Sequence, residues 1–514
     1  MHIERNVKVL SNWCRAKSLL VTLMLAAPSI YGGDLAVSQA AGRYEVKPEF
    51  TTFVPEDVPI NWEEVGATEI RLFYPGQTSW DRLTSPQKLF NHPGSLAMKA
   101  GGSCRACHSS GGGAPDAEAL GKKLLKKGRA ESDPIKGKRP VIDLQVKAAY
   151  DDQYIYFWFQ WETAEPGIYH NVMRFDGTKW VNYGGARPGG NPGLYEDRIT
   201  LLLGYKQGSP GYVPADGDTA YGFQSAGCFI ACHDGMRAMR HDAAKNKEGV
   251  TAVFPKAGDI RKYLLITRKP AQPNDPANLT GETEAEGRWA LLAEKEELAT
   301  MREKGEFLDM WMWRAARSGP IGYADDMWVF DYRNGDAGKS PWQRQRPKNL
   351  NASPPEGFMF NPKTVPSMWL GGGDYAIRGS NNPEEVLKRQ ETVPFITSMG
   401  ERAVKYDPDL YKPQDGDLLF QRLLRAPTQS RGDIQAYGVF DDKPGKKTGT
   451  WTVMLKRKLD TGHPQDDIVL EDGEVYPIAF AIHDEHVSNR RHHVSFEYML
   501  GLGPEADIVA KKVR

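Results

Sequence analysis

The run "AAYDDQYIYFWFQWE" (148–162) limits what this chain can become more than any other stretch. Two turn residues lead into nine positions dominated by aromatics and isoleucine, side chains that crowd a helix and fit a pleated sheet. Such unbroken apolarity predicts a strand buried on both faces. The same reading extends to "TEIRLFYPG" (68–76), "RITLLLGY" (198–205), "FLDMWMWRA" (307–315), "MWVFDYR" (327–333), "WTVMLKRKL" (451–459), "VYPIAFAIH" (475–483) and "HHVSFEYML" (492–500). Several alternate apolar and polar residues with period two. The 52 Gly and 35 Pro supply turns for many short strands. No fixed-period repeat organises them. The expected fold is therefore mainly β, an antiparallel β-sandwich with helical and loop insertions, over residues 141–514.

Two helices interrupt this pattern. "DAEALGKKLLKKG" (116–128) spaces Leu120, Leu124 and Leu125 at helical intervals, and a second helix is expected around 286–305. A Gly-Lys-Arg-Pro segment at 137–140 marks a boundary, so residues 41–140 read as a separate, mainly helical or irregular segment. The stretch 334–425, rich in Pro, Gly and Asn, reads as an insertion.

The chemistry sits in the cysteines. "GGSCRACHSSG" places Cys104, Cys107 and His108 at the spacing of a c-type haem attachment site. Two thiols bond the porphyrin vinyl groups, and the following imidazole becomes an iron ligand. A zinc site would need a second nearby ligand pair, and a redox dithiol would need a βαβ setting; neither is seen. "SAGCFIACHDG" repeats the theme with three residues between Cys228 and Cys232, followed by His233. A disulfide between Cys228 and Cys232 is the competing reading. The expected cofactors are two covalently attached haems c. His92 is the candidate opposite ligand of the first iron, with Met98 as its competitor. His170 is the candidate for the second, competing with Met173, His241 and the group His483, His486, His492 and His493. Trp158, Trp161, Trp311 and Trp313 either wall the second haem or fill the core.

The first 40 residues read as an export signal. Arg5, Lys8, Arg15 and Lys17 precede the apolar run at 18–27, which is too short to span a bilayer, and cleavage is expected after Ala40. Cys14 leaves with the signal, so all four remaining cysteines belong to the two motifs. A balance of 66 basic and 66 acidic residues gives no reason to expect nucleic acid or an anionic membrane as a partner. No later stretch is long and apolar enough to span a membrane.

"VKAAYDDQYIYFWFQWE", "EDRITLLL" (196–203), "LDMWMWRAARSGPIGYADD" (308–326) and "FAIHDEHVSNRRHHVSFEYMLGL" (480–502) together resemble the ethylbenzene-dehydrogenase-related haem-binding domain. The resemblance implies a β-sandwich that holds a haem and passes electrons, as in the gamma subunits of periplasmic molybdenum oxidoreductases. Those subunits bind a non-covalent b-type haem between Met and Lys. The Cys-x3-Cys-His string departs from that pattern and is closer to a c-type branch, in which an extra haem segment precedes the sandwich. A b-type site with a disulfide at Cys228 and Cys232 stays open. The function expected is a periplasmic dihaem c-type cytochrome moving electrons between redox partner proteins. The rivals are a haem enzyme with one open iron reducing peroxide or a nitrogen oxide, and an electron-transfer subunit of a molybdenum enzyme.

Overall fold

The computed structural model describes residues 58–76, 92–127, 131–206, 223–231, 264–267, 293–344, 426–441 and 448–513, apart from a few positions within these spans, and short strands between 358 and 424. The proposed export signal, Cys232, His233 and His241 lie outside the described residues.

Thirteen strands form one sheet. In chain order they are β1 (Thr68–Phe73), β2 (Val141–Tyr150), β3 (Tyr154–Thr163), β4 (Arg198–Leu203), β5 (Leu308–Arg314), β6 (Asp325–Val329), β7 (Arg333–Gly335), β8 (Gln435–Asp441), β9 (Gly449–Lys458), β10 (Val475–His483), β11 (His493–Val494), β12 (Tyr498–Leu502) and β13 (Ile508–Lys512). Their spatial order is β8-β9-β3-β2-β1-β11-β10-β4-β5-β6-β7, with β12 and β13 forming a second link between β10 and β2. Pairing is antiparallel except where β13 runs parallel to β12 and β2. The mainly β, antiparallel expectation holds.

The sheet folds over so that its two halves pack face to face. Phe157 on β3 meets Trp311 on β5 with ring centroids 5.7 Å apart, although five strands separate them along the sheet. Trp161 likewise meets Trp313, and Phe159 meets Phe480 on β10. Hydrogen bonds from Ala324 N to Ile434 O and from Ala436 N to Gly322 O tie edge strand β8 to the segment before β6. Four tryptophans, 161, 311, 313 and 451, are almost fully enclosed between the halves. Each buries about 150–250 Å², an upper limit of roughly 4–6 kcal/mol at about 25 cal/mol per Å². The indole of Trp313 lies against the backbones of Gly319 and Gly438, so close that a Cβ at either position would overlap it. Gly438→Ala should therefore lower stability by about 1–3 kcal/mol, read as a shifted urea midpoint; an unchanged midpoint would show that the indole can move aside.

Three strand readings need correction. β3 is not buried on both faces: Phe157, Phe159 and Trp161 point inward, while Trp158 and Gln160 are half-buried and Glu162 is exposed. The stretch 327–333 is two strands, β6 and β7, parted by a turn. The stretch 492–500 is likewise split at 495–497. α1 (Ser95–Lys99), α2 (Cys104–His108), α3 (Ala117–Leu124), α4 (Phe223–Ala226), α5 (Cys228–Ala231) and α6 (Lys295–Glu303) complete the described helices. The expected helix at 286–305 is described only from 293 onward. Part of 334–425 returns to the body, where Leu418–Phe420 pairs with Val172–Phe175.

Candidate functional site

Ser103 starts α2, its Oγ accepting from Ala106 N at 2.9 Å. On so short a helix Cys104, Cys107 and His108 share one side, since residues three and four apart are neighbours. The segment is clamped to β12 and its approach. Arg105 Nη2 lies 2.8 Å from Asp507 Oδ1, its guanidinium sits 4.5 Å from the Tyr498 ring centre, and Glu497 accepts from Arg105 N and from Ser103 Oγ. Cys104 is buried and Cys107 exposed. Burial, followed by the Glu497 charge, pushes the Cys104 thiol up.

His108 Nδ1 bonds the carbonyl of Pro115 at 2.7 Å. Donation at Nδ1 leaves the Nε2 lone pair for a metal, the usual arrangement of a ligating histidine. The His92 ring lies beside it, with centroids 6.1 Å apart and planes 30° from parallel. Two imidazoles on opposite sides of one metal ion stand roughly 6 Å apart, given bonds of about 2.0 Å and about 1.1 Å from nitrogen to ring centre. His92 Nδ1 is buried without a hydrogen-bond partner. Burial, then the neighbouring His108 and Lys123, hold its pKa below the usual value, so the ring is neutral and able to ligate. Gly94 allows this placement, because a Cβ there would meet His92 Cε1 at 3.0 Å. Met98 is buried in the apolar cluster behind α2.

Cys228 opens α5 after Gly227, whose φ of 70° belongs to the left-handed region and whose missing Cβ leaves room for the backbone of Phe496. The Phe496 ring stacks on His108 at 5.5 Å. Phe496 thus touches both motif segments, and Cys104 and Cys228 belong to one apolar cluster.

Cys228 also lines a cavity of about 320 Å³ on the outer face of β10, β4, β5 and β6. Strand alternation builds this wall. Met310, Met312 and Arg314 face the cavity while Trp311 and Trp313 face the core; Arg198 and Thr200 face the cavity while Ile199 and Leu201 face the core. The tryptophans therefore fill the sandwich interior, and methionines take the wall position that sequence reading had offered them.

Arg198, Arg314, Arg317, Arg333 and Arg431 line this cavity. Asp325 answers Arg314 at 2.8 Å and Arg431 at 2.6 Å, and Glu196 answers Arg317 and Arg198. Among the described residues that line the cavity, five are arginines and one, Asp325, is acidic. Burial, then Arg317, holds Arg314 well below its ordinary pKa. Arg198 is 5% exposed, and its Nη2 has no partner. The wall fits an anionic group such as the propionates of a haem.

His483 lines the same cavity, its ring stacked on His492 at 4.3 Å and its buried Nδ1 without a partner. Burial and then His492 hold it neutral. His170 is buried too, but stands behind Tyr195, 4.9 Å between ring centres, outside the cavity lining. His493 Nε2 bonds Arg139 O and His486 Nδ1 bonds the Tyr195 backbone. Met173 is in the core. The arginine wall escaped sequence reading, although alternate positions of "RITLLL" and "DMWMWR" carried the signal.

The folded antiparallel sheet thus carries the Cys104–His108 segment and Cys228 in one apolar cluster on its outer face. The chain belongs to the ethylbenzene dehydrogenase family, whose model matches residues 61–495. A shorter region is similar to cytochrome c-552 of Stutzerimonas stutzeri, 36% identical over 104 residues, covering 20% of this chain and 33% of that protein. The chain thus spans about a third of the length of this curated relative. Among the described residues no helix is long and apolar enough to cross a membrane.

Proposed function

We propose that this chain is an exported dihaem c-type cytochrome that passes electrons singly between periplasmic redox partner proteins. One observation carries the reading: Cys104 of the first motif and Cys228 of the second share one apolar cluster, with Phe496 against His108 and against Gly227. Two redox groups held there would be neighbours, shielded from water on the sheet side. Bound haem supplies reversible one-electron chemistry. The protein's part is attachment, ligation and charge compensation. Cys104 and Cys107 attach the first haem, with His108 and His92 as ligands. Cys228 and Cys232 attach the second, with His233 as one ligand. In this reading His483 takes the opposite position in place of His170, because His483 shares the cavity with Cys228. Arg198 and Arg314 compensate the propionates. The signal-like N-terminus and the similarity to a cytochrome c support export, and the resemblance to gamma subunits supports electron transfer with protein partners.

The test is the intact mass of the exported protein after acid denaturation and organic extraction. The expected result is a chain carrying two porphyrin masses. The double variant Cys228→Ala/Cys232→Ala should carry one and keep the first haem's spectrum. An extracted wild-type chain with one porphyrin or none would overturn the reading.

A further inference from the structure

A second cluster of charge lies inside the sandwich and takes no part in the sites above. Asp309 on β5, Asp326 on β6 and Asp467 in the loop after β9 bring carboxylate oxygens within 4.8 Å of one another, all buried. Asp336, 5% exposed, follows β7 and adds a fourth carboxylate close enough to perturb Asp326. Arg457 on β9 bonds Asp309 and Asp467 within the group, and His463 Nδ1 lies 4.0 Å from Asp467. Asp309 is otherwise served by Trp311 Nε1 at 2.7 Å and Ile468 N at 3.0 Å, and Asp467 by Thr461 Oγ1 at 2.6 Å. Asp326 is different. It is 0% exposed, and beyond the close approach of the Asp326 and Asp336 carboxyls to each other none of their four oxygens has a hydrogen-bond partner.

Four buried carboxyl groups stand around Arg457, where burial and their mutual repulsion push Asp326 and Asp336 up, so their oxygens call for either protons or a cation. A cation satisfies them. Oxygens bound to Ca²⁺ at about 2.3–2.6 Å lie within about 5 Å of each other, which matches the cluster, and an all-carboxylate shell deep in the protein suits Ca²⁺ better than the water-retaining Mg²⁺. We propose that Asp309, Asp326, Asp336 and Asp467 form a structural Ca²⁺ site that joins β9 and its loop on one half of the sheet to β5, β6 and β7 on the other. Asp325, one residue from Asp326, anchors Arg314 and Arg431 in the cavity wall, so the ion also steadies the strand whose Asp325 holds those arginines. The site is independent of what fills the cavity.

The test uses the haem-loaded mature protein. Metal analysis after purification without chelator should find about one Ca²⁺ per chain. After stripping with EGTA, adding CaCl₂ to about 100-fold over the dissociation constant should raise the thermal midpoint by about 4 °C. Asp326→Asn/Asp336→Asn should lose bound calcium and the response, yet in EGTA melt no lower than wild type, since burial and mutual repulsion of the carboxyls removed outweigh their attraction to Arg457. Asp143→Asn, at an exposed ion pair with Arg71, should keep the response. A protein with no bound calcium and no CaCl₂ response, or one that answers to Mg²⁺ alone, overturns the proposal.

Discussion

His483→Gln should open one of two irons while leaving both porphyrins attached. Glutamine keeps the size and polarity of the side chain and removes the imidazole, so the cavity wall of Met310, Met312 and Arg314 stays in place. On the proposed dihaem reading, in which both irons are six-coordinate, the wild-type protein should bind no carbon monoxide at neutral pH; the variant should bind about one per chain, and its ferric low-spin signal should fall by about half. His92→Gln should have the same effect on the other haem, because the His92 and His108 rings lie 6.1 Å apart. His170→Gln is the discriminating control. Its ring stands behind Tyr195, and its loss should leave carbon monoxide binding at zero. A carbon-monoxide-reactive His170→Gln beside a silent His483→Gln would return the ligand to His170.

Arg457→Met is expected to be among the most damaging single changes in the chain. The guanidinium is 0% exposed, bonds Asp309, Asp467 and the carbonyl of Ile468, and lies 4.4 Å from the Trp311 ring centre. Burial disfavours its charge, yet Asp309, Asp467 and Asp326 outweigh that and keep it protonated. Methionine fills much of the space and takes the guanidinium from Asp309 and Asp467, a loss of about 3–5 kcal/mol for a broken buried pair when the comparison is made in EGTA. Set against a typical folding stability of about 5–15 kcal/mol, that is a third or more of the total. A urea titration checks it. Arg457→Lys should fall between, since an ammonium replaces the charge but not the planar fork. A methionine variant with a wild-type midpoint would show that the aspartates hold protons or another cation strongly enough to do without arginine.

Much of the sheet was legible because its strands are marked locally: period-two alternation and aromatic content pick out β3, β5, β9 and β10 without tertiary knowledge. Trp158 misled, since an aromatic on the outer face reads like one in the core; its neighbour there is Lys147, 5.2 Å from the ring centre. The break at 495–497 was hidden because Ser495 and Glu497 turn to partners distant in sequence, Glu497 to Ser103 and Arg105. The first motif and His92 lie within one short segment and could be paired by eye. The second was not so readable. His483 reaches the cavity because β10 pairs with β4, strands more than 270 residues apart in sequence, and no local pattern records that pairing. The five arginines come from scattered elements and meet only when the sheet is built.

Strand β5 behaves as a two-sided tape. Its odd positions are fixed by the jigsaw of the interior, where a single methyl group is felt, and its even positions look onto the cavity. Neighbouring letters of "LDMWMWR" therefore answer to different pressures. An engineer who changes 310 or 312 reshapes the cavity wall, whereas a change at 314 also gives up the buried pair with Asp325 and lowers the melting point; changes at 311 and 313 act on the interior instead.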